Sequence, residues 1–297
     1  MKETMTEKSA GGTRRFPPWL HRSLSQGSGM NHLRGLLREL ELHTVCESAR
    51  CPNISECFSK GTATFMILGD ICTRRCGFCA IGQGRPLQLD PEEPLRLAEA
   101  VAQLGLQHVV VTSVARDDLN DGGADHFSRV IEAIRKRNPE VRIEVLIPDF
   151  RGSESALEKV LMSQPDILNH NIETVPRLYS LVRPQADYRR SLELLINVKK
   201  RDPIIWTKSG LMLGLGESMD EVLEVLKHLR LVECQMLTIG QYLQPDLQRL
   251  PVVEYIPPSQ FEWLKKKAYQ MGFSSVASGP LVRSSYHAQE NFSVTNC

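Results

Sequence analysis

Apolar positions along this chain fall into two alternating periods. Compact apolar runs, TFMILG (64–69), HVVVTS (108–113), VRIEVLI (141–147), WTKSGLMLG (206–214) and CQMLTIGQY (234–242), read as buried strands. DILNHNIET (166–174) reads as a strand that ends in polar groups. Between these runs, apolar residues recur every three or four positions over 90–105, 124–137, 153–163, 187–201, 218–231 and 259–271, the spacing of one helical face. The first of these helices is expected to start with Asp90 as N-cap and Pro91 at its first position, and to stop at Gly105. Another short helix is expected over HLRGLLRELEL (32–42), while residues 1–31 read as irregular and 43–61 as a loop.

Strands alternating with helices of this length build βαβ units on a parallel sheet. The expected fold class is α/β, a partial (βα)6-type parallel barrel with its chemistry on loops at the C-terminal strand ends; a doubly wound sheet is the structural alternative. The 297 residues then divide into an N-terminal extension (1–61), the barrel (62–271) and a C-terminal extension (272–297).

Composition narrows the class of function. Hydrophobic residues make up 41% and charged residues 24%, as in a soluble globular protein. A net charge of +1 gives no global pull toward nucleic acid or a membrane, and no apolar run reaches transmembrane length. The first residues lack the apolar stretch of a signal peptide, Glu3 and Glu7 argue against a transit peptide, and Arg14-Arg15 lacks the apolar region of a twin-arginine signal. The expected location is the cytoplasm, without nucleic-acid or membrane partners.

Cysteine placement changes the picture most. Six of the eight cysteines, Cys46, Cys51, Cys57, Cys72, Cys76 and Cys79, fall within 34 residues, and a tight cluster of this kind in a long non-secretory chain points to metal. Cys234 opens an apolar strand and reads as a buried core thiol; Cys297 reads as a free chain end. In GDICTRRCGFCAIG the spacing is C-x3-C-x2-C, directly after the first strand. Three thiolates hold three corners of a cubane iron–sulfur cluster and leave the fourth iron open. An amino acid's amino and carboxylate groups can chelate that corner and bring a sulfonium beside a one-electron donor. Gly77 is expected to let the loop curl around the cluster. A zinc site is the alternative, but zinc takes four tight ligands, often as paired C-x2-C, and no second such pair exists.

The C-x3-C-x2-C spacing and its place in the α/β alternation resemble the radical S-adenosylmethionine superfamily. GLMLGLGE (210–217) fits that superfamily's G-x-I-x-G-x-x-E segment, with Met212 in the isoleucine place, although any tight strand–helix turn can produce such glycines. The first triplet, C-x4-C-x5-C, again offers three soft ligands on one stretch and needs a fourth from elsewhere. With both triplets in order, the chain resembles the lipoyl synthases. So do FPPWL (16–20), TSVARDDLNDGGADHF (112–127), RIEVLIPDF (142–150), LNHNIETVPRLYSLVRP (168–184), TKSGLMLGLGE (207–217), TIGQYLQP (238–245) and GPLVRSSYHA (279–288), over nearly the whole chain.

That resemblance implies two [4Fe-4S] clusters, the second an auxiliary cluster carried by the terminal extensions. Cys72, Cys76 and Cys79 would hold the cluster that reduces S-adenosylmethionine. Cys46, Cys51 and Cys57 would hold the auxiliary cluster, completed by a serine of RSSY, assigned to Ser285 with Ser284 as the alternative. It implies a sulfurtransferase that inserts sulfur at C6 and C8 of an octanoyl group on a carrier lysine, spending two S-adenosylmethionine molecules and the auxiliary cluster's sulfide. Unactivated C–H bonds have no acidic proton, so they call for homolytic hydrogen abstraction. Implied partners are octanoylated lipoyl-carrier domains (2-oxoacid dehydrogenase E2, glycine cleavage H protein), an electron donor, and an iron–sulfur carrier that rebuilds the spent cluster. Thr112, Ser113, Asn169, Glu173, Arg183 and Glu217 are the expected cofactor-binding residues; Arg116 and Asp117 read either as lining groups or as a salt bridge. Two alternatives stay open: another radical sulfur-inserting enzyme such as a methylthiotransferase, which carries its first triplet in a larger N-terminal domain than the 45 residues preceding Cys46 provide, and a non-enzymatic iron–sulfur carrier.

Overall fold

The structure, a computed structural model, describes residues 16–21, 28–59, 63–286, 288 and 290. The expectations for the first fifteen residues and for Cys297 lie outside the described residues. Helix α1 (Ser28–Glu39) leads to strand β1 (His43–Thr44) and two short helices, α2 (Val45–Ser48) and α3 (Ile54–Ser59). The stretch expected as loop is therefore partly ordered. Its helices are too short to show a period in sequence; the Thr44 hydroxyl caps α2 by accepting the Glu47 N–H at 3.3 Å, and Phe58 packs fully buried in the core.

Strand β2 (Thr64–Ile67) starts the α/β alternation, followed by a small ribbon of β3 (Ile71–Cys72) and β4 (Gly82–Gln83) that closes the second cysteine loop. Then come α4 (Glu93–Gln103), β5 (His108–Ser113), α5 (Ala124–Arg137), β6 (Arg142–Leu146), α6 (Glu154–Met162) and β7 (Ile167–Asn169). The chain continues through α7 (Tyr179–Val182), α8 (Tyr188–Arg201), β8 (Trp206–Leu213), α9 (Met219–Leu231), β9 (Met236–Gln241), α10 (Pro258–Gln270) and β10 (Ser275–Gly279).

Side-chain caps fix several helix starts. Ser153, Asp187 and Ser218 accept backbone N–H groups at the starts of α6, α8 and α9, and Ser218 forms a reciprocal capping box with Glu221. Helix α4 has no side-chain cap and begins two residues later than expected, with Glu92 at the cap position and Pro94 in the first turn. Asp90 instead accepts the Glu92 N–H and pairs with Arg96, and the buried Glu93 carboxylate accepts the Leu68 N–H. Gly105 does end the helix, at φ +58°.

The sheet runs β1-β2-β5-β6-β7-β8-β9-β10, with every pair parallel except β1 against β2. Strands β2 and β5 to β10 with α4, α5, α6, α8, α9 and α10 between them make six βα steps and a closing strand. This is an open partial barrel, not a doubly wound sheet. Strand β10 carries the parallel sheet past residue 271, where the sequence reading ended the barrel. SVASG is too short and small to stand out as an apolar run, and its pairing with β9 defines it.

The edge strands β1 and β10 leave one side of the barrel open, and both extensions fill it. The Asn53 amide donates to the Leu281 carbonyl at 2.7 Å, and the Tyr286 hydroxyl donates to the Glu56 carboxylate at 3.1 Å. A side chain at Gly240 of β9 would collide with the Val282 carbonyl, so the C-terminal segment lies directly on bare backbone there. Gly240→Ala is expected to lift that segment away, destabilising the fold by about 1–3 kcal/mol and speeding proteolysis beyond residue 279; denaturant midpoints and limited digestion would measure both.

Candidate active site

Parallel strands present their C-terminal ends, and their loops, on one rim. Here that rim and the lumen below it enclose a cavity of about 550 Å³. Cys46, Cys51, Cys72, Cys76 and Cys79 border it, with Ser284 and Ser285 from the C-terminal segment. Cys57, on α3, is partly buried behind them and close enough to Cys46 to act on its charge. The structure thus brings five of the six triplet cysteines and the RSSY serines around one space, with Cys57 near Cys46.

The second cysteine loop is stapled on three sides. Its Thr73 N–H donates to the Ala115 carbonyl after β5, its Gly77 N–H to the Val182 carbonyl of α7, and the Leu250 N–H to the Gly77 carbonyl. Gly77 serves by close approach to Leu250 and not by the left-handed backbone expected of a curled loop, since its φ is not positive. Leu68 and Gly69 supply the sharp turn instead, at φ +70° and +89°. Within the loop Arg74 is the anchor. Its guanidinium grips Asp117 through two bonds of 2.7 and 2.8 Å and reaches Asp149 at 2.5 Å. The Arg74 and Ala115 N–H groups both point at the Cys72 sulfur, at 3.4 and 3.3 Å.

Comparison with known proteins identifies the family. The Radical SAM superfamily profile matches residues 66–229, and that of the N-terminal domain of lipoyl synthase matches residues 1–51. A lipoyl synthase of Nitrosococcus oceani is 59% identical over 92% of this chain and 85% of its own length. That of Alkaliphilus metalliredigens is 57% identical over 93% and 96%, and that of Caldanaerobacter subterraneus subsp. tengcongensis 56% over 95% and 99%. The chain belongs to the lipoyl synthase family. Among solved structures, the fold is similar to that of methylornithine synthase (PylB), at TM-score 0.54 and 14% identity over 84% of this chain and 74% of that one. HydG, a maturase of the [FeFe]-hydrogenase, gives TM-score 0.57 and 16% identity over 83% and 55%.

The residues fit the iron–sulfur centres that a radical S-adenosylmethionine enzyme requires. Burial pushes the Cys46 and Cys79 thiols up to about 12, and also raises Cys76. Bare thiols in such a place stay protonated, so only a cationic centre makes them thiolate ligands. Five thiols border one cavity, and soft sulfur donors are the ligand class that iron–sulfur centres take.

Among the expected cofactor-binding residues, Thr112, Ser113, Glu173 and Arg183 line the cavity. The Ser113 hydroxyl and Arg183 Nε are buried without a hydrogen-bond partner, and so are open to a ligand. Glu173 holds a left-handed φ of +66°, and burial raises its carboxyl although Arg183 and the Asn171 amide oppose the rise. Two expected residues do not line the cavity. Asn169 points below it, donating to the buried Glu144 carboxylate at 3.2 Å, and Glu217 uses its carboxylate to hold the Gly214 and Leu215 N–H groups of its own turn. Asn171 and His170, two residues and one residue further on, face the cavity with Glu173 instead. Strand β7 ends at Asn169, so the alternation expected through 174 fails at this point. Arg116 and Asp117 are ion-paired, to Asp118 and Arg74, and Arg116 is buried rather than superficial. Cys234 is the buried core thiol the sequence indicated.

Arg74 makes the site acid-sensitive. Burial would raise the Asp149 carboxyl, but Arg74's hydrogen bonds and charge outweigh it and hold the group at about 2. A depressed carboxyl stabilises the fold above its unfolded value of 3.8 and loses that contribution as pH falls toward about 2. Asp149→Asn should remove about 2 kcal/mol of pH-dependent stability across that window, as read from denaturation curves at stepped pH.

Proposed function

We propose that Cys72, Cys76 and Cys79 hold a [4Fe-4S] cluster whose open iron takes S-adenosylmethionine. Cys46, Cys51, Cys57 and Ser285 hold a second, and the chain inserts sulfur at C6 and C8 of an octanoyl chain borne on a lysine. The observation that carries this reading is that five cysteines of the two triplets and the RSSY serines border one cavity, with Cys57 close to Cys46, in a chain of the lipoyl synthase family. Ser285 is favoured over Ser284 because its oxygen lies against Thr64, next to Cys46, whereas the Ser284 oxygen lies against Asn171 beside Glu173.

When bound, the first cluster supplies the electron that cleaves S-adenosylmethionine, and the second supplies sulfide. The protein's own share is binding, orientation and exclusion of water. Glu173, Asn171 and Arg183 present a carboxylate, an amide and a guanidinium at one end of the cavity, suited to an amino-acid moiety and ribose hydroxyls. Thr112 and Ser113 add hydroxyls at the end of β5. Met66, Leu146, Leu211 and Met212 give apolar walls for an octanoyl chain, keeping its reacting carbons away from water.

The substrates are octanoylated lipoyl-carrier domains, such as those of 2-oxoacid dehydrogenase E2 and the glycine cleavage H protein. An electron donor and an iron–sulfur carrier complete the system. Among the described residues no helix is long and apolar enough to cross a membrane. Six reduced thiols suit the cytoplasm, where such groups persist.

Anaerobic reconstitution should give about eight irons per chain, and about four would sink the two-cluster reading. Cys76→Ala should abolish 5′-deoxyadenosine release from S-adenosylmethionine under reducing conditions; continued release would refute the first assignment. Ser285→Ala should keep that release but lower sulfur insertion into an octanoyl-lysine peptide, and insertion at the unaltered rate would refute the second.

A further inference from the structure

Thr64 stands where the two ends of the chain meet. It is the first residue of β2, paired with Val110 of β5, and its side chain is 5% exposed on the lumen side. Its hydroxyl donates to the Ser285 oxygen at 2.6 Å, across 221 residues of sequence. The same residue reaches the other extension, since its backbone N–H is hydrogen-bonded to Cys46. That contact follows from the register of β1 on β2: Thr44 lies opposite Phe65, and Cys46 follows two residues later in α2.

We propose that Thr64 is a positioning residue for the auxiliary site, its hydroxyl holding the Ser285 oxygen beside Cys46 so that a cysteine and a serine from opposite chain ends face the same centre. This deepens, and rests on, the reading of Ser285 as a ligand. A serine oxygen keeps free lone pairs while it binds iron, so it can accept the Thr64 proton and ligate at the same time. Hydrogen bonds of this kind orient ligating groups and set how firmly they hold. An oxygen ligand is poorly matched to iron–sulfur chemistry, and its support matters accordingly. The neighbouring serine has its own holder in Asn171, so the two hydroxyls of RSSY are pulled to opposite sides and cannot exchange roles without breaking both bonds.

The test uses the full chain, reconstituted anaerobically with iron and sulfide, in wild-type form and as Thr64→Val, Thr64→Ser, Ser285→Ala and the Thr64→Val/Ser285→Ala double variant. Iron loss to a chelator and the Mössbauer signature of the oxygen-bound iron are followed. Thr64→Val, which keeps the shape and removes the hydroxyl, is expected to release the auxiliary cluster's iron about 10–100-fold faster and to weaken the oxygen-bound signature. Thr64→Ser, which keeps the hydroxyl, should restore both, and the double variant should lose iron no faster than Ser285→Ala alone. If Ser285→Ala accelerates iron loss but Thr64→Val behaves as wild type, the Thr64 role is overturned and the serine reading stands. Equal acceleration by Thr64→Val and Thr64→Ser would show a packing effect and also overturn it. If Ser285→Ala retains iron as wild type does, the serine reading falls and takes this proposal with it.

Discussion

A parallel sheet that curls without closing has two edge strands and an opening into its own lumen. Everything around the active site depends on how that opening is filled. On one side β1 turns back antiparallel on β2 and delivers α2 and α3. On the other, the segment after β10 crosses bare backbone at Gly240. The two meet through Asn53 with Leu281 and Glu56 with Tyr286. Because the plug is made from both sides of the chain, Cys46, Cys51 and Ser285, far apart in sequence, come to line the same cavity.

Burial supplies the chemistry as well as the shape. Thiols held away from water are driven toward the protonated form, so the cavity wall is poised for a cationic centre and unfavourable to isolated thiolates. The same low-polarity setting makes every charge near it expensive unless paired. Arg74 is neutralised by Asp117 and Asp149, and Asp149 is shared with Arg190. Deeper in the lumen Glu144 is held by Lys208 at 2.8 Å and by His108 and Asn169. Such buried groups persist because each has partners; removing one leaves the other as an uncompensated charge. On the cavity wall the Arg183 Nε has no hydrogen-bond partner, and that is where a ligand has something to offer.

The elements legible in the sequence were those with strong local signals. HVVVTS became β5 and residues 124–137 became α5 without change of boundary, because a buried parallel strand and an amphipathic helix each repeat their pattern over enough residues to be read. The pieces that escaped are short or defined by a distant partner. Strand β10 exists through its pairing with β9, and α3 through its packing against α1. Helix α4 moved because Glu93 is claimed by Leu68 and His126, contacts that no local rule contains.

The same division holds at the site. The C-x3-C-x2-C spacing and its place after the first strand were enough to point to the radical S-adenosylmethionine superfamily, since spacing on one loop limits which ligands can share a centre. Which side chains face that centre was decided by tertiary structure alone. Strand β7 stops at Asn169, so Asn171 rather than Asn169 turns to the cavity, and Glu217 is spent on its own turn. Thr64 carries no motif; it lies beside Cys46 and Ser285 because the register of β1 on β2 and the path of the chain after β10 put it there. Pairing and burial between distant segments act through space, and a linear pattern records only what each segment can do near itself.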